Sequence, residues 1–332
     1  MAGPLLAPPL LSVRNLTVAF DTRRGPFDAV RDVSFDVGAG QTLGVVGESG
    51  SGKSVTAMAL MQLLPDTATM TSGTIGFAGQ FAHQDLGTLS EREMQKVRGR
   101  EIAMVFQDPM ASLNPILTVG HQIMEPLRLQ MGLDKPAARA RAEELLALVR
   151  IPSPVDLMRS YPHELSGGMR QRVMIAIALS CGPKLLIADE PTTALDVTTQ
   201  AQILELLRDL QERLHMSVLL ITHDLGVVAE FADDVMVMYA GRAVERSPVQ
   251  ALFDKPGHPY TEGLLNSMPP LEDEDPEVLR AIEGNVASPF ALPPGCAFHP
   301  RCPYAFDECR KALPPFAALG EGHEAACLRV SC

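Results

Sequence analysis

Eight consecutive residues near the start of the chain carry the strongest chemical signal in the sequence. They read GESGSGKS and comprise Gly47, Glu48, Ser49, Gly50, Ser51, Gly52, Lys53 and Ser54. Glycines at this spacing let backbone N–H groups curl around an anion, and the start of a following helix adds partial positive charge. Lys53 supplies a cation for β- and γ-phosphates, and the Ser54 hydroxyl can bind Mg²⁺. The stretch therefore predicts a nucleotide phosphate site.

Two neighbouring carboxylates form a second candidate centre. Asp189 and Glu190 close the apolar run KLLIADE, residues 184–190. Because α/β sheets bind ligands at the carboxyl ends of their strands, we expect both side chains near the phosphates. There Asp189 can hold the Mg²⁺ shell, and Glu190 can polarise the attacking water as a general base. His223 follows another apolar run and can sense the γ-phosphate by a hydrogen bond if its strand lies in the same sheet.

A group of cysteines lies far downstream, in a proline-rich tail. Cys296, Cys302, Cys309 and Cys327 have the spacing C-x5-C-x6-C-x17-C, without the short C-x-x-C knuckle of common zinc sites. Four thiolates in a segment with little core of its own suggest a metal that holds the segment together. The residues alone leave three readings open: an iron–sulfur cluster, a structural zinc with His299 as a spare ligand, and free reduced thiols.

Apolar runs and periodicities predict the elements that must position these groups. Strands are expected at residues 11–20, 30–37, 42–47, 72–79, 184–189 and 217–222, a helix at 54–64, and a hairpin over 234–245 that turns at Gly241 and Arg242. Residues 203–214 carry leucine and isoleucine at helical spacing. Strands that alternate with helices predict a mostly parallel α/β sheet, interrupted by a helical insertion at about 110–180.

Composition limits the class of protein. The chain has 332 residues, of which 46% are hydrophobic, so it can bury a sizeable core. Its formal net charge of −12 argues against nucleic acid as the main partner, because phosphate binding needs clustered positive charge. The sequence contains no apolar run of about 18 residues that would predict a membrane span. Its proline-broken N-terminus is not a convincing signal peptide, so we expect a cytosolic chain with reduced thiols.

The stretch LSGGMRQ, residues 165–171, resembles the signature motif of ABC-type ATPases. Ser166, Gly167 and Gly168 open a predicted helix there and offer a second anion-binding helix N-terminus. The order of the other motifs also resembles that family. Residues 47–54 match its Walker A loop, residues 189–190 match its Walker B aspartate and catalytic glutamate, and His223 matches its switch histidine.

Three further positions fit the resemblance, two of them with small departures or alternatives. Gln107, in VFQDP, matches the Q-loop glutamine, which in the family contacts Mg²⁺ and water and links to the membrane subunits. TALD, residues 193–196, resembles the D-loop, with Thr193 in place of the usual serine. Phe20 fits the position of the ring that stacks on adenine, and Phe27 is the alternative.

The resemblance implies a fold and a set of roles. The expected fold class is an α/β P-loop NTPase of ABC type with a RecA-like core, an antiparallel β subdomain, a helical signature subdomain at about 108–182, and a small Cys-rich C-terminal domain. The ATPase domain would cover residues 1–255, and the linker with its accessory domain 256–332. Glu190, His223 and Gln107 would be catalytic. ATP would contact Phe20, residues 47–54, Gln107, Asp189 and residues 166–168, and Mg²⁺ would be held by Ser54, Gln107 and Asp189.

Longer stretches resemble the ATPase subunits of dipeptide and oligopeptide importers. These stretches are GESGSGKSVTAMALMQLLP, FQDPMASLNPILTVGHQIME and GHPYTEGLLNSMP. In that group the C-terminal cysteine motif, which Cys296, Cys302, Cys309 and Cys327 match, is associated with a 4Fe–4S cluster. Importers of nickel, opines, glutathione or murein peptides are an alternative, because the ATPase does not touch the cargo. A soluble ABC ATPase that acts on nucleic acid or ribosomes is another.

The resemblance also implies partners and a place in the cell. Two nucleotide-binding domains of this family pair head to tail, so the chain needs a second ATPase subunit, usually a distinct homologue. Two transmembrane permeases and an extracytoplasmic peptide-binding protein would complete the assembly, without nucleic acid. The chain would then be a peripheral protein on the cytoplasmic face of the inner membrane.

Overall fold

The computed structural model describes residues 8–80, 84–108, 112–193, 195–268 and 282–330. Its strands are β1 (Leu11–Phe20), β2 (Phe27–Val37), β3 (Thr42–Val46), β4 (Ala68–Phe77), β5 (Ile102–Val105), β6 (Leu185–Asp189), β7 (Ser217–Thr222), β8 (Asp234–Tyr239), β9 (Arg242–Pro248), β10 (Ala317–Gly320) and β11 (His323–Ala325). These strands form two sheets. The smaller is antiparallel with the order β2-β1-β4, and the larger has the order β10-β11-β9-β8-β3-β7-β6-β5.

Helices cover both faces of the larger sheet. They are α1 (Lys53–Leu60), α2 (Glu91–Val97), α3 (Val119–Leu129), α4 (Lys135–Leu148), α5 (Pro154–Leu157), α6 (Gly167–Leu179), α7 (Val197–Leu214), α8 (Leu225–Phe231), α9 (Val249–Asp254) and α10 (Pro259–Asn266). Short 3₁₀ turns occupy residues 86–88, 162–164 and 307–310. Within the ranges just given, no helix has both the length and the apolar character needed to cross a membrane.

The centre of the larger sheet is parallel, as the sequence predicts. Strands β8, β3, β7, β6 and β5 run in one direction, and every residue of β3, β6 and β7 is buried. Continuous apolar runs produce such strands because both faces of a parallel sheet are covered. In the register, Val46 lies opposite Thr222, and Asp189 lies opposite Ile221. The carboxyl ends of β3, β6 and β7 therefore meet at one edge.

Alternate residues of β6 face two different cores, since successive side chains of a strand point to opposite faces. Leu185 and Ile187 pack with the antiparallel sheet and α1. Leu186 and Ala188 pack with helices α3, α4, α6 and α7. The antiparallel β subdomain and the helical segment therefore lie on opposite sides of the sheet, and the predicted helical insertion is confirmed.

Several element boundaries differ from the prediction. The hairpin turns at Ala240 and Gly241, not at Gly241 and Arg242, because Arg242 already pairs with Tyr239. Both turn residues have positive φ, +46° and +81°, as a two-residue hairpin loop requires. Helix α1 ends at Leu60 instead of residue 64, because Gln62 adopts a left-handed φ of +48° that is incompatible with a continuing helix.

The C-terminal region, which the structure describes over residues 256–268 and 282–330, does not form a small domain with a core of its own. Strand β11 pairs with β9, where Ala325 lies opposite Glu245, so it extends the sheet of the ATPase body. Tyr260 and Phe298 are buried in the same cluster as Val46. A separate Cys-rich domain is therefore not supported, because a short segment buries too little apolar area alone and shares the core of the larger body instead. The boundary at residue 255 stays a prediction.

One buried carboxylate fixes this region to the sheet. Glu245, on β9, is fully buried and each of its oxygens accepts two hydrogen bonds. Oε1 accepts from the Gly257 N–H at 2.6 Å and from His323 Nε2 at 2.8 Å. Oε2 accepts from the His258 N–H at 2.8 Å and from the Thr261 hydroxyl at 2.6 Å. The carboxylate thus joins the chain before α10 and strand β11 to the ATPase sheet.

Replacing Glu245 by glutamine should destabilise the protein strongly. An amide in either orientation turns its NH₂ group toward a backbone N–H, of Gly257 or of His258, so at least one buried hydrogen bond is lost and two donors are forced together. We expect the free energy of unfolding to fall by about 3 kcal/mol, measured by denaturant unfolding. The matched control is Glu324→Gln, which removes a partly exposed ion pair with Arg246 and should cost less than about 1 kcal/mol. Equal effects of the two substitutions would contradict the proposed role of Glu245.

Candidate active site

The loop between β3 and α1 has the backbone shape that the sequence predicts for phosphate binding. Gly47 has a φ of +153°, and a Cβ there would lie 2.2 Å from the carbonyl oxygen of Met238. Gly52, with a φ of +102°, would place a Cβ 2.6 Å from the carbonyl oxygen of Ala29. Both positions exclude any larger residue. The loop is therefore confined between strand β8 and the antiparallel sheet, with its end capping α1.

Lys53 places its cation inside this loop. Its Nζ donates to the carbonyl oxygens of Gly47 at 2.7 Å and Glu48 at 3.1 Å, and the residue is 5% exposed. Burial lowers the pKa of Lys53, while the nearby carboxylates of Glu190 and Asp189 oppose that shift. A polyanion in the loop would likewise favour the charged ammonium. Lys53 thus has the position expected of a phosphate ligand.

Ser54 and Asp189 come together at the start of α1. The Ser54 hydroxyl donates to Asp189 Oδ1 at 3.0 Å, and Asp189 is 5% exposed. Burial raises the pKa of Asp189, and the hydrogen bond from Ser54 partly offsets this. A hydroxyl and a carboxylate are hard oxygen ligands of the kind Mg²⁺ prefers, and a cation would relieve the burial of the charge. The pair therefore fits the predicted magnesium site.

Three donors converge on the carboxylate of Glu190. Gln107 Nε2 lies 2.8 Å from Oε2, the Thr193 hydroxyl lies 2.8 Å from the same oxygen, and His223 Nδ1 lies 3.3 Å from Oε1. Burial opposes ionisation of Glu190, but the hydrogen bonds from Thr193 and His223 outweigh it and lower the pKa. Glu190 is thus an ionised acceptor held by its neighbours. The three predicted catalytic residues lie in one group.

The backbone of Glu190 is also unusual. Its φ of +46° lies in the left-handed region that non-glycine residues seldom occupy. Such conformations cost of order 1 kcal/mol or more and persist where the surroundings enforce them, often at functional sites. Here the Glu190 N–H donates to the Ile221 carbonyl of the adjacent strand at 2.8 Å. The strained turn directs the side chain across the carboxyl edge of the sheet toward His223.

Thr193 is the member of this group that sequence reasoning missed. The sequence identified it only as a departure from the usual D-loop serine. Its hydroxyl, three residues after Glu190, makes a local hydrogen bond that any hydroxyl residue at this spacing could make. The signal was therefore the retained hydroxyl and not the residue type. The following residue of that motif, Ala194, lies outside the described residues.

Both candidate adenine-stacking rings lie in one pocket beside the loop. Phe20 and Phe27 face each other across β1 and β2, stacked with ring centroids 5.4 Å apart. The pocket also receives Gly52 and Val55 from the loop and α1. Because both rings lie near the loop, either Phe20 or the alternative, Phe27, is placed where it could stack on adenine. Phe290, from the C-terminal region, packs edge-on against Phe27 at 4.8 Å.

The signature residues have the expected local structure but lie apart from the phosphate loop. Ser166 caps α6 by accepting from the Met169 N–H at 3.3 Å, and Gly167 and Gly168 form the first turn. A Cβ on Gly168 would lie 2.7 Å from Thr199 Cγ2, so glycine permits close packing of α6 on α7. Helix α6 packs against α3, α4, α7 and β5, whereas α1 packs against β1, β2 and β6. The structure therefore does not bring Ser166, Gly167 and Gly168 to the loop.

The four tail cysteines line one small cavity of about 20 Å³. These cysteines are Cys296, Cys302, Cys309 and Cys327. Burial raises the pKa of Cys296 to about 11, and the neighbouring thiols add to that shift. In the described ranges, however, no three or more His, Cys, Asp or Glu side chains are placed to hold a metal ion. The thiols converge, but the expected metal site is not supported by this arrangement.

Comparisons with known proteins agree with the geometry of the phosphate site. The family model described as ABC transporter matches residues 30–193. A second model, described as the oligopeptide/dipeptide transporter C-terminal region, matches residues 244–309. The chain also resembles the solved dimeric, post-hydrolysis structure of the ATP-binding cassette MJ0796 bound to ADP and Pi. That match has a TM-score of 0.64 and 28% identity, and it covers 72% of this chain and 98% of the other.

Similar curated proteins cover nearly the whole chain. A putative peptide import ATP-binding protein of Brucella melitensis is 54% identical, over 96% of this chain and 95% of its own length. The oligopeptide transport ATP-binding protein AppD of Bacillus subtilis is 51% identical, and the dipeptide transport ATP-binding protein DppD of Escherichia coli is 49% identical. Each match covers 96% of both chains. The chain therefore belongs to the ABC transporter family, in the group of ATP-binding proteins that carry the oligopeptide/dipeptide transporter C-terminal region.

Proposed function

We propose that this chain hydrolyses ATP and thereby energises the import of dipeptides or oligopeptides through an ABC transporter complex. The observation that carries this proposal is the group of Gln107, Thr193 and His223 on the Glu190 carboxylate, beside the Ser54–Asp189 pair. It combines a water-activating carboxylate with oxygen ligands for Mg²⁺ at the end of a phosphate loop. The peptide cargo is inferred from the C-terminal region and from the names of the relatives.

In this mechanism the loop binds the triphosphate through its backbone N–H groups and Lys53. Ser54 and Asp189 would hold Mg²⁺, with Gln107 as a further ligand, and the ion supplies neutralisation of the charge that develops on the phosphates. Phe20 would stack on the adenine ring. Glu190, kept ionised by its hydrogen bonds, accepts a proton from the attacking water. Gln107 and His223 orient Glu190, and His223 can also donate to the γ-phosphate.

A second subunit would complete each nucleotide site. Phosphoryl transfer is favoured by donors on both sides of the triphosphate, yet Ser166, Gly167 and Gly168 lie away from the loop of their own chain. We propose that these three residues contact ATP bound to the partner ATPase. The partner's signature would reciprocally cover the loop of this chain.

The helical segment offers a surface for the permeases. An open groove of about 600 Å³ between α3, α4 and residues 158–159 is lined by apolar Met124, Leu129 and Leu133. The groove is also lined by charged residues, and these are mainly basic: one is acidic, Glu125, and four are basic, Arg128, Lys135, Arg139 and Arg159. Leu129 is 77% exposed. We propose that a permease segment with apolar residues and acidic flanks docks here. The chain would then lie on the cytoplasmic face of the inner membrane. An extracytoplasmic peptide-binding protein would deliver the cargo.

We also propose that the four cysteines hold a 4Fe–4S cluster. Cysteine thiolates are the usual ligands of such clusters, and the four thiols share one cavity within the region matched by the oligopeptide/dipeptide family model or just after it. A bound cation would offset the burial that now disfavours the thiolates. A zinc ion would need the four sulfur atoms closer together than a cluster does, because all four would bind one ion at about 2.3 Å.

Glu190→Gln should separate ATP binding from hydrolysis. The amide keeps the size of the side chain but cannot accept a proton, so turnover in the assembled transporter should fall by at least about 100-fold. The dissociation constant for Mg·ATP should change by less than threefold. The matched control is Glu205→Gln, on the exposed face of α7, where only a surface ion pair with Arg150 is lost. Wild-type turnover in the Glu190 variant would overturn the assignment of the general base.

Leu129→Asp should weaken docking of the permeases. A charge in the groove is unfavourable for an apolar partner segment with acidic flanks, so co-purification with the permeases in detergent should fall at least tenfold. Nucleotide affinity should stay unchanged, because Leu129 lies outside the nucleotide site. Val155→Asp is the control, since Val155 is 52% exposed in the same helical segment but does not line the groove. Equal co-purification of the two variants would contradict docking at this groove.

Anaerobic purification tests the cluster. A 4Fe–4S cluster should give broad visible absorption and about four irons and four sulfides per chain. Substituting Cys302 by serine should remove most of this absorption. The matched control, Cys181→Ser, changes a buried cysteine of the ATPase body that lies outside the cavity and should keep the full iron content. A colourless protein, either loaded with zinc or free of metal, would refute the cluster.

A further inference from the structure

The side chain of Arg301 links the C-terminal region to the phosphate loop. Arg301 lies immediately before Cys302, and its guanidinium forms a two-pronged ion pair with Glu48, the second residue of the loop. The Nη1–Oε2 distance is 2.7 Å and the Nη2–Oε1 distance is 3.0 Å. The two residues are 253 positions apart in the sequence. Paired, parallel hydrogen bonds of this kind fix the relative orientation of both side chains as well as their separation.

The guanidinium is fully satisfied. Its remaining donors reach the Glu283 carbonyl at 3.0 Å, the Ile282 carbonyl at 3.2 Å and the Tyr239 hydroxyl at 3.4 Å. Together with the two bonds to Glu48, each of the five N–H groups of Arg301 has an acceptor. The side chain is only 5% exposed. Such a side chain cannot move without breaking several bonds at once, so it is a rigid anchor for Glu48.

A second contact from the C-terminal region holds the backbone of the same loop residue. The Tyr260 hydroxyl, on α10, accepts from the Glu48 N–H at 2.8 Å. Tyr260 is fully buried and packs against the rings of Tyr239 and Phe298, with centroids 4.7 Å and 5.4 Å away. The side chain and the backbone N–H of Glu48 are therefore both fixed by residues of the C-terminal region.

Glu48 in turn contacts the cation of the loop. Its carbonyl oxygen accepts from Lys53 Nζ at 3.1 Å. Without Arg301, the Glu48 carboxylate would also stand as an uncompensated negative charge beside a site for a polyanion. The same region reaches the other end of the nucleotide site, where Ala287, Pro289 and Leu292 line the pocket of Phe20 and Phe27. The C-terminal region thus borders the site at its phosphate end and at its base end.

We propose that Arg301 and Tyr260 are positioning residues for ATP, which hold Glu48 and keep the phosphate loop in the geometry that binds the triphosphate. Nucleotide affinity then depends on the C-terminal region, although that region lies outside the motifs of the ATPase. A loop that is already ordered loses less conformational freedom when it binds, so release of Glu48 should weaken binding. This proposal rests on ATP being the ligand of the loop.

The test is a double-mutant cycle on nucleotide affinity. The dissociation constant of the full chain for magnesium and a non-hydrolysable ATP analogue is measured by calorimetry for wild type, Arg301→Met, Glu48→Gln and the double variant. We expect Arg301→Met to weaken binding about tenfold, and the double variant to bind no more weakly than Arg301→Met alone, because both substitutions break one interaction. Tyr260→Phe should weaken binding severalfold. Multiplicative effects of Arg301→Met and Glu48→Gln, or unchanged affinity, would overturn the proposal.

Arg329→Met is the matched control. Arg329 belongs to the same C-terminal region, pairs with Glu262 at 3.5 Å and lies over the Tyr304 ring at 4.0 Å, but it does not contact the loop. Its substitution should change affinity by less than twofold. A tenfold loss in this variant would show that any disturbance of the region affects the site, and it would overturn the specific role of Arg301.

Two further measurements separate positioning from folding and from the proposed function. In the assembled transporter, Arg301→Met should raise KM for ATP while kcat changes less than threefold, because Glu190 and its partners are untouched. If Arg301→Met does not fold, Arg301→Lys keeps the charge but cannot form the two-pronged pair, and it should show the same loss of affinity. Wild-type protein that binds no ATP would defeat the proposed function. Wild-type and Arg301 variants that bind equally would defeat only the positioning role.

Discussion

The parallel register of three strands is the constraint on which the rest of the structure depends. Because β3, β7 and β6 lie side by side with one polarity, their carboxyl ends deliver the phosphate loop, His223, and the Asp189–Glu190 pair to a single edge. No long side chain or flexible segment is needed to bring these groups together. The left-handed backbone of Glu190 then directs its side chain, and the glycines of the loop allow the close backbone contacts that shape the phosphate site.

The two cores on either side of that sheet explain why the signature and the phosphate loop lie in different parts of the chain's structure. One core joins the sheet to the antiparallel subdomain and α1, which carry the phosphate loop and the aromatic rings. The other joins it to the helices that carry the signature and the groove that we propose for a permease segment. The sheet between the two cores separates the helices that follow Ser166 from α1, which begins with Lys53. If a second chain completes the site, as we propose, ATP binding draws the two subunits together.

Local patterns were enough to predict most of the parallel centre of the sheet and the grouping of Gln107, Glu190 and His223. Buried parallel strands appear as continuous apolar runs, and the phosphate loop needs glycines at fixed spacing, so both can be recognised from a few residues. Long-range contacts have no such signal. Nothing around Arg301 or Glu48 indicates that they pair, and the burial of Glu245 depends on four donors from different segments. The tail was therefore predicted as a separate domain, although its strands and rings complete the ATPase body.

The central claim is that one chain supplies only half of each hydrolytic site. The most direct test is the rate of ATP hydrolysis per chain, measured over a hundredfold range of protein concentration with and without the partner ATPase subunit. We expect turnover per chain to rise with concentration, or on addition of the partner, as paired sites form. A turnover that stays constant at dilutions where light scattering shows monomers would contradict the account, because a monomer would then contain a complete site.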